Sequence, residues 1–201
     1  MGHRKLPHTA AMDLRDLLIA FLVWVVYPLW LIAGFLDYLL HRKTRIERTS
    51  GPKESWLHVA QFASLGIPLI LVTFLMVTPL VVTIVAGTLV THTALSIADV
   101  SYTEGRRYIS PLEQHAHAFM NVLPLVATGI AVMLSWNELV SGGWVIEPKS
   151  DPIPRFSAGL LVGSYFVFAG TPILEELIRT SRGFRHHQVK DSHERHESYD
   201  T

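Results

Sequence analysis

The chain has 201 residues, of which 49% are hydrophobic and 17% charged, with 17 basic and 17 acidic side chains and no cysteine. A formal charge of zero supplies no field for nucleic acid, and the lack of thiols excludes disulfides, thiolate metal sites and cysteine nucleophiles. So apolar a composition is unusual for a soluble domain.

In chain order, the apolar runs have the length of membrane spans. Leu17 to Leu36 is 20 residues without a charge and predicts a first helix over about 15–40. Its apolar part is longer than the core of a signal peptide and no A-x-A-like site follows, so it is expected to remain as a span. Val59 to Thr91 gives 33 uncharged residues, too many for one crossing. Thr78-Pro79 near its centre divides the run into a helical hairpin, about 55–77 and 79–100, in preference to one long helix kinked at the proline. Ala118 to Trp136 and Phe156 to Leu174 supply 19 uncharged residues each and predict spans over about 111–136 and 156–179.

Two starts are marked locally. Gly51-Pro52 precedes Glu54, and Ser110-Pro111-Leu112-Glu113 reads as a capping box with proline at the first helical position. Between the last two spans, "NELVSGGWVIEPKSDPIPR" reads as a polar Gly/Pro-rich connection with Trp136 and Trp144 as interfacial anchors. The expected fold is all-α: a polytopic membrane bundle of about five transmembrane helices over 1–180. A polar, disordered cytosolic tail follows over 181–201, whose histidines His186, His187, His193 and His196 read as solvated.

Five spans put the termini on opposite sides. The side holding the turns 42–54 and 101–110 and the C-terminal tail carries twelve Lys and Arg, against five on the other. The positive-inside rule makes that side cytosolic and the N-terminus external, in a bacterial-type inner membrane.

The ionisable residues gather on the same side. Asp37 and His41 end span one, Glu54 and His58 open span two, and Glu113 and His117 open span four, each pair four residues apart. Asp99 ends span three, with His92 about 10 Å deeper on the same helical face. Glu175 and Glu176 end span five. A carboxylate and an imidazole four apart stack on one face and can aim two ligands at one point. Mixed N/O donors suit iron, manganese or zinc. The candidate metal ligands are therefore Asp37, His41, Glu54, His58, His92, Asp99, Glu113 and His117, with Glu54 and Glu113 as candidate catalytic acid/base groups. Arg45, Arg106 and Arg107 are placed to orient ligand carboxylates or to bind an anionic headgroup.

The motifs "DYLLH", "ESWLH", "THTALSIAD" and "PLEQHAH", about a quarter of the chain, resemble the membrane di-iron enzymes: fatty-acid desaturases, hydroxylases and sterol oxidases. Carboxylates stand here where that family's boxes have histidines. The resemblance implies two iron ions, dioxygen-dependent oxidation of a lipid or other hydrophobic substrate, and an electron-donor protein. Three other readings stay open: a zinc-dependent membrane hydrolase, a metal-ion or proton transporter, and a membrane assembly protein without chemistry.

Overall fold

A computed structural model describes residues 13–183, and it is an all-α bundle. Five helices are long and apolar enough to cross a membrane: α1 (Leu14–Thr44), α2 (Pro52–Phe74), α3 (Pro79–Thr103), α4 (Pro111–Leu134) and α6 (Arg155–Gly183). A short helix, α5 (Trp136–Ser141), lies between the last two. The protein is thus an integral membrane protein. The expected spans are recovered with shifted ends, and α6 runs to Gly183, past the boundary expected at residue 180. The remaining tail, with its four histidines, lies outside the described residues.

The burial pattern is that of a chain dissolved in lipid. Large apolar side chains face outward, Val90 and Ile97 among them at 71% and 63% exposed, while Asp37, His41, Glu54, His58, Asp99, Glu113 and Glu176 are buried. Hydrocarbon is no worse a solvent for valine than the protein interior is, so the polar groups take the inside.

Helices α2 and α3 form a tight hairpin, α1 runs along α4, α4 touches α3, and α6 closes the ring against α1 and α2. The hairpin reading of the 33-residue run holds, but α2 ends at Phe74 rather than Val77. The residue before a proline is pushed out of helical geometry, and Thr78 is extended, its hydroxyl accepting from the Val81 N–H to cap α3. The freed backbone of 74–77 is satisfied from across the bundle. Met76 N–H donates to the Glu147 carbonyl at 2.9 Å, Lys149 N–H to that of Phe74 at 3.0 Å, and Val77 N–H to the Glu138 carboxylate at 3.1 Å. The connection after α4 is therefore structured, with α5 inside a segment expected to be loop.

Between this end and the middle of the bundle, Leu65, Val81, Val85 and Leu89 form an apolar core with Trp30 and Leu71 packed against it. Prolines inside α1 (Pro28) and α6 (Pro172) each follow a turn widened to five-residue hydrogen bonding, Leu22–Val26 and Phe166–Gly170. A widened turn absorbs the missing N–H and the clash of the ring with the preceding carbonyl. Gly66 lets the Tyr165 ring come within 3.2 Å of where a Cβ would stand. The Tyr165 hydroxyl donates to the Phe62 carbonyl at 2.6 Å, locking α6 on α2.

At the opposite end the turn 45–51 starts α2 from Gly51, whose φ of 73° and ψ of −161° suit only glycine. Gly51→Ala is expected to destabilise the detergent-solubilised protein by about 1–3 kcal/mol, the cost of such a conformation for an L-residue. Reversible SDS unfolding measures it, and a wild-type midpoint would show that the turn relaxes freely.

Candidate metal centre

The ring of helices brings three histidines and five carboxylates together at the end that holds the turns 45–51 and 104–110. Helix α1 supplies Asp37 and His41 from the face that also buries Ala33, and α2 supplies Glu54 and His58. Asp99 comes from a face of α3 that buries a residue every three or four positions, from Val81 to Thr103. Glu113 and His117 come from the first two turns of α4, and Glu176 from α6.

Glu176 organises the centre. One carboxylate oxygen accepts from His41 Nδ1 at 3.0 Å and the other from His58 Nδ1 at 2.6 Å. The two rings stack with centroids 4.6 Å apart and planes within 9°. A carboxylate only accepts, so both Nδ1 atoms carry protons and the chemistry of each ring is left to its Nε2. This is the arrangement that fixes the tautomer of a metal-binding histidine.

His41 Nε2 looks into carboxylates only. Glu113 Oε1 lies at 3.3 Å, Asp37 Oδ2 at 3.5 Å and Glu54 Oε1 at 3.9 Å, none in hydrogen-bonding geometry. His117 Nε2 stands 3.1 Å from Asp37 Oδ1, and His58 Nε2 3.2 Å from Asp99 Oδ2. Around a cation bound at about 2.1 Å, tetrahedral ligand atoms are about 3.4 Å apart, the spacing found here. Among the described residues two sets have ligand atoms that all lie within 4.8 Å of one another: Asp37, His41, Glu113 and His117, and His41, Glu54 and His58, with His41 common to both. Asp99 adjoins the second set through His58.

Four positions depart from the sequence expectation. His92 belongs to neither set; it lies deeper, with Nδ1 3.3 Å from Ser64 Oγ. Its seven-residue offset from Asp99 keeps it on the right face but two turns too far inside. The capping box at Ser110 is half made: the Ser110 hydroxyl accepts from the Glu113 N–H at 3.2 Å, while the Glu113 carboxylate turns to His41 and Arg107. Arg45 is exposed at a left-handed φ of 52°, and Arg106 stacks over the Tyr102 ring at 4.1 Å, so neither orients a ligand.

Only Arg107 enters the centre. Its Nη2 lies 2.5 Å from Oε1 of both Glu54 and Glu113, its Nε donates to Glu54 at 3.0 Å, and Ser50 donates to the other Glu54 oxygen. Burial disfavours the charged guanidinium, but the two carboxylates outweigh it and raise the Arg107 pKa above its ordinary value. Glu54 is therefore ion-paired as well as being a member of the second set.

Glu176 is the residue that sequence reasoning left out of the ligand set. Its signal was the inward spacing of α6, which buries positions 158, 165, 172, 176 and 180; Glu175, one residue away, points to Tyr38 and Arg179 instead.

Beside the centre lies a partly open cavity of about 80 Å³. Asp37, His41, His58 and Glu176 form one end; Phe62, Leu65, Trp30 and Tyr165 line the apolar remainder. Trp30, Tyr165 and Phe62 stack in one column, with centroids 5.2 and 4.6 Å apart.

The fold and site together define a polytopic membrane protein with a buried, carboxylate-rich histidine cluster opening onto an apolar cavity. Comparison of the chain with family models, curated proteins and solved structures gave no match.

Arg107→Met is expected to destabilise the protein by about 3–5 kcal/mol by stranding two buried carboxylates, whereas Arg45→Ala stays within about 0.5 kcal/mol of wild type. Equal unfolding midpoints for the two variants would show that the buried ion pair is not needed.

Proposed function

We propose that the protein is a membrane metalloenzyme that binds two divalent cations at this cluster and acts on a hydrophobic substrate taken from the bilayer. The observation that carries the reading is the continuity of the apolar cavity with the cluster. A metal store or ion carrier has no use for an aromatic-walled space at its ligands. The apolar core that fills the bundle beyond the cavity speaks against a conducting path.

The charge supports the metal count. Asp37, Glu54, Asp99, Glu113 and Glu176 are five buried carboxylates against one buried guanidinium, leaving four negative charges when the imidazoles are neutral. Two divalent cations would balance them, whereas in metal-free protein protonation of His41, His58 and His117 would leave one negative charge. Two overlapping sets supply the places; His41 has one free lone pair, on Nε2, and so serves one cation, the other being held by the remaining imidazole and carboxylates.

Iron is the metal we assign, with manganese or zinc as alternatives on donor chemistry alone. Bound at Asp37, His41, Glu54, His58, Glu113 and His117, it would supply dioxygen activation for oxidation of an alkyl substrate. The chain's own residues do the rest. Glu176 holds both imidazoles by their Nδ1 protons. Arg107 pairs with Glu54 and Glu113 and holds them in place. The Trp30, Tyr165 and Phe62 column keeps water from the apolar part of the cavity.

In the same reading the cluster end faces the cytosol of a bacterial-type inner membrane. Exposed Arg42, Lys43, Arg48, Lys53 and Arg106 ring it, a surface suited to anionic lipid headgroups. An electron-donor protein would dock from that side.

Elemental analysis of protein purified in detergent tests the reading. Wild type is expected to carry two transition-metal ions per chain, and His41→Ala, His58→Ala and His117→Ala one each. No stoichiometric metal, or full loading of His41→Ala, sinks the proposal. Zinc as the sole native metal would move the chemistry from oxidation to hydrolysis.

Chelation supplies a second check. At a free metal concentration of 100 times Kd, loading stabilises the fold by about 2.7 kcal/mol per site. Removing metal should lower the unfolding temperature of wild type more than that of His41→Ala. Identical responses from the two proteins would place the metal elsewhere.

A further inference from the structure

The cavity carries two polar groups that the metal reading does not use. His92 is 4% exposed, and its Nε2 has no hydrogen-bond partner. A neighbour fixes its tautomer. Ser64 Oγ donates its single proton to the Gln61 carbonyl at 2.7 Å, so toward His92 Nδ1, 3.3 Å away, it can only accept. The proton is on Nδ1, and Nε2 presents a bare lone pair. Gln61 provides the complement, because its buried Nε2 is an amide donor that also lacks a partner. Both residues line the same cavity as Asp37, His41, His58 and Glu176.

Their level along the helices gives the orientation of a ligand. On α2, Gln61 and Ser64 stand about one and two turns inward from His58, and on α3 His92 is about 10 Å inward from Asp99. Leu65, Trp30 and Tyr165 complete the wall and make it apolar. A polar girdle thus lies between the cluster and the apolar wall.

We propose that His92 and Gln61 recognise the neutral, oxygen-bearing end of an alkyl chain, a primary alcohol in its simplest form. The hydroxyl donates to His92 Nε2 and accepts from Gln61 Nε2, and the chain runs past Tyr165 and Trp30 toward the bilayer. The volume of about 80 Å³ has room for the hydroxyl and the first few carbons, and the cavity is open for the rest. An alkane meets neither group, and an ether cannot donate to Nε2. A carboxylate end is repelled by Asp37 and Glu176 in the same space. The assignment rests on the metalloenzyme reading in one respect: the carbon bearing the hydroxyl is the one presented to the cluster.

The test is binding of tritiated 1-decanol to the full-length protein in nanodiscs, corrected for empty discs. Decyl methyl ether and decane serve as competitors, and metal content is measured on the same samples. The alcohol is expected to outcompete both, and His92→Phe and Gln61→Met are each expected to weaken its binding roughly three- to tenfold, the worth of one hydrogen bond. His92→Gln, which keeps an acceptor, should recover most of the loss, and metal content should not change in any of the three. Equal competition by alcohol and ether overturns the proposal, as does wild-type affinity in both Gln61→Met and His92→Phe. Loss of metal from His92→Phe also overturns it, because His92 would then be a ligand. If His92→Phe does not fold, Gln61→Met and the alcohol-to-ether ratio of wild type decide. Wild-type protein that lacks metal but still selects the alcohol leaves this site standing and removes the metalloenzyme reading.

Discussion

The bundle closes through one carboxylate. Glu176 accepts from His41 on α1 and His58 on α2, and so joins the last membrane helix to the first two at a point from which water is excluded. Away from this level α6 is held by aromatic stacking, by the Tyr165 hydroxyl bond to α2 and by Tyr27 of α1, whose hydroxyl donates to the Leu161 carbonyl at 2.6 Å. In hydrocarbon such stacking brings no hydrophobic gain, because lipid tails are as apolar as the side chains they would replace. The polar contacts at Glu176 therefore carry much of what makes this arrangement of helices preferable to others. The consequence for chemistry is direct. A carboxylate that fixes two imidazole protons also fixes where two lone pairs point, so closing the fold and orienting the centre are one event.

Much of this was legible in the sequence, because lipid simplifies the rules. A charge-free run of about 20 residues has few alternatives to a spanning helix, and five such helices were read with their order and the hairpin at Thr78-Pro79. The side shared by the carboxylate and histidine pairs followed from counting spans. What could not be read was depth to within a turn. His92 shares a face with Asp99, and facing inward is all that spacing reports; the 10 Å between them decides whether they can share a cation. Arg45, Arg106 and Arg107 looked alike for a similar reason. They differ because Arg107 alone enters between Glu54 and Glu113, while Arg106 is taken up by the Tyr102 ring.

Glu113 shows two rules in competition. Ser110-Pro111-Leu112-Glu113 satisfies the sequence pattern of a capping box, and the serine half forms. The glutamate half does not, because a carboxylate at the third helical position of α4 lies within reach of a buried imidazole and a buried guanidinium. A hydrogen bond to one exposed backbone N–H is worth about 1 kcal/mol, whereas leaving a buried charge unpaired costs several. Tertiary electrostatics wins, and a motif usually read as a helix start becomes part of the centre.

Proline interrupts every membrane-spanning helix but one. Helices α1, α2, α4 and α6 each carry one in their interior, at Pro28, Pro68, Pro124 and Pro172, and α3 carries none. Helix α3 keeps an uninterrupted spacing of inward residues and packs closely on α2. The widened turns of α1 and α6 lie just before Pro28 and Pro172, and these two helices supply Trp30, Tyr165 and Pro172 to the cavity wall. A widened turn rotates every side chain beyond it relative to the regular helix. On α1 the residues beyond it include Asp37 and His41, and on α6 Glu176. The widened turns thus help set the angle at which both helices deliver Trp30 and Pro172 to the cavity as well as their charged residues, which ties the wall of the cavity to the geometry of the cluster at its end.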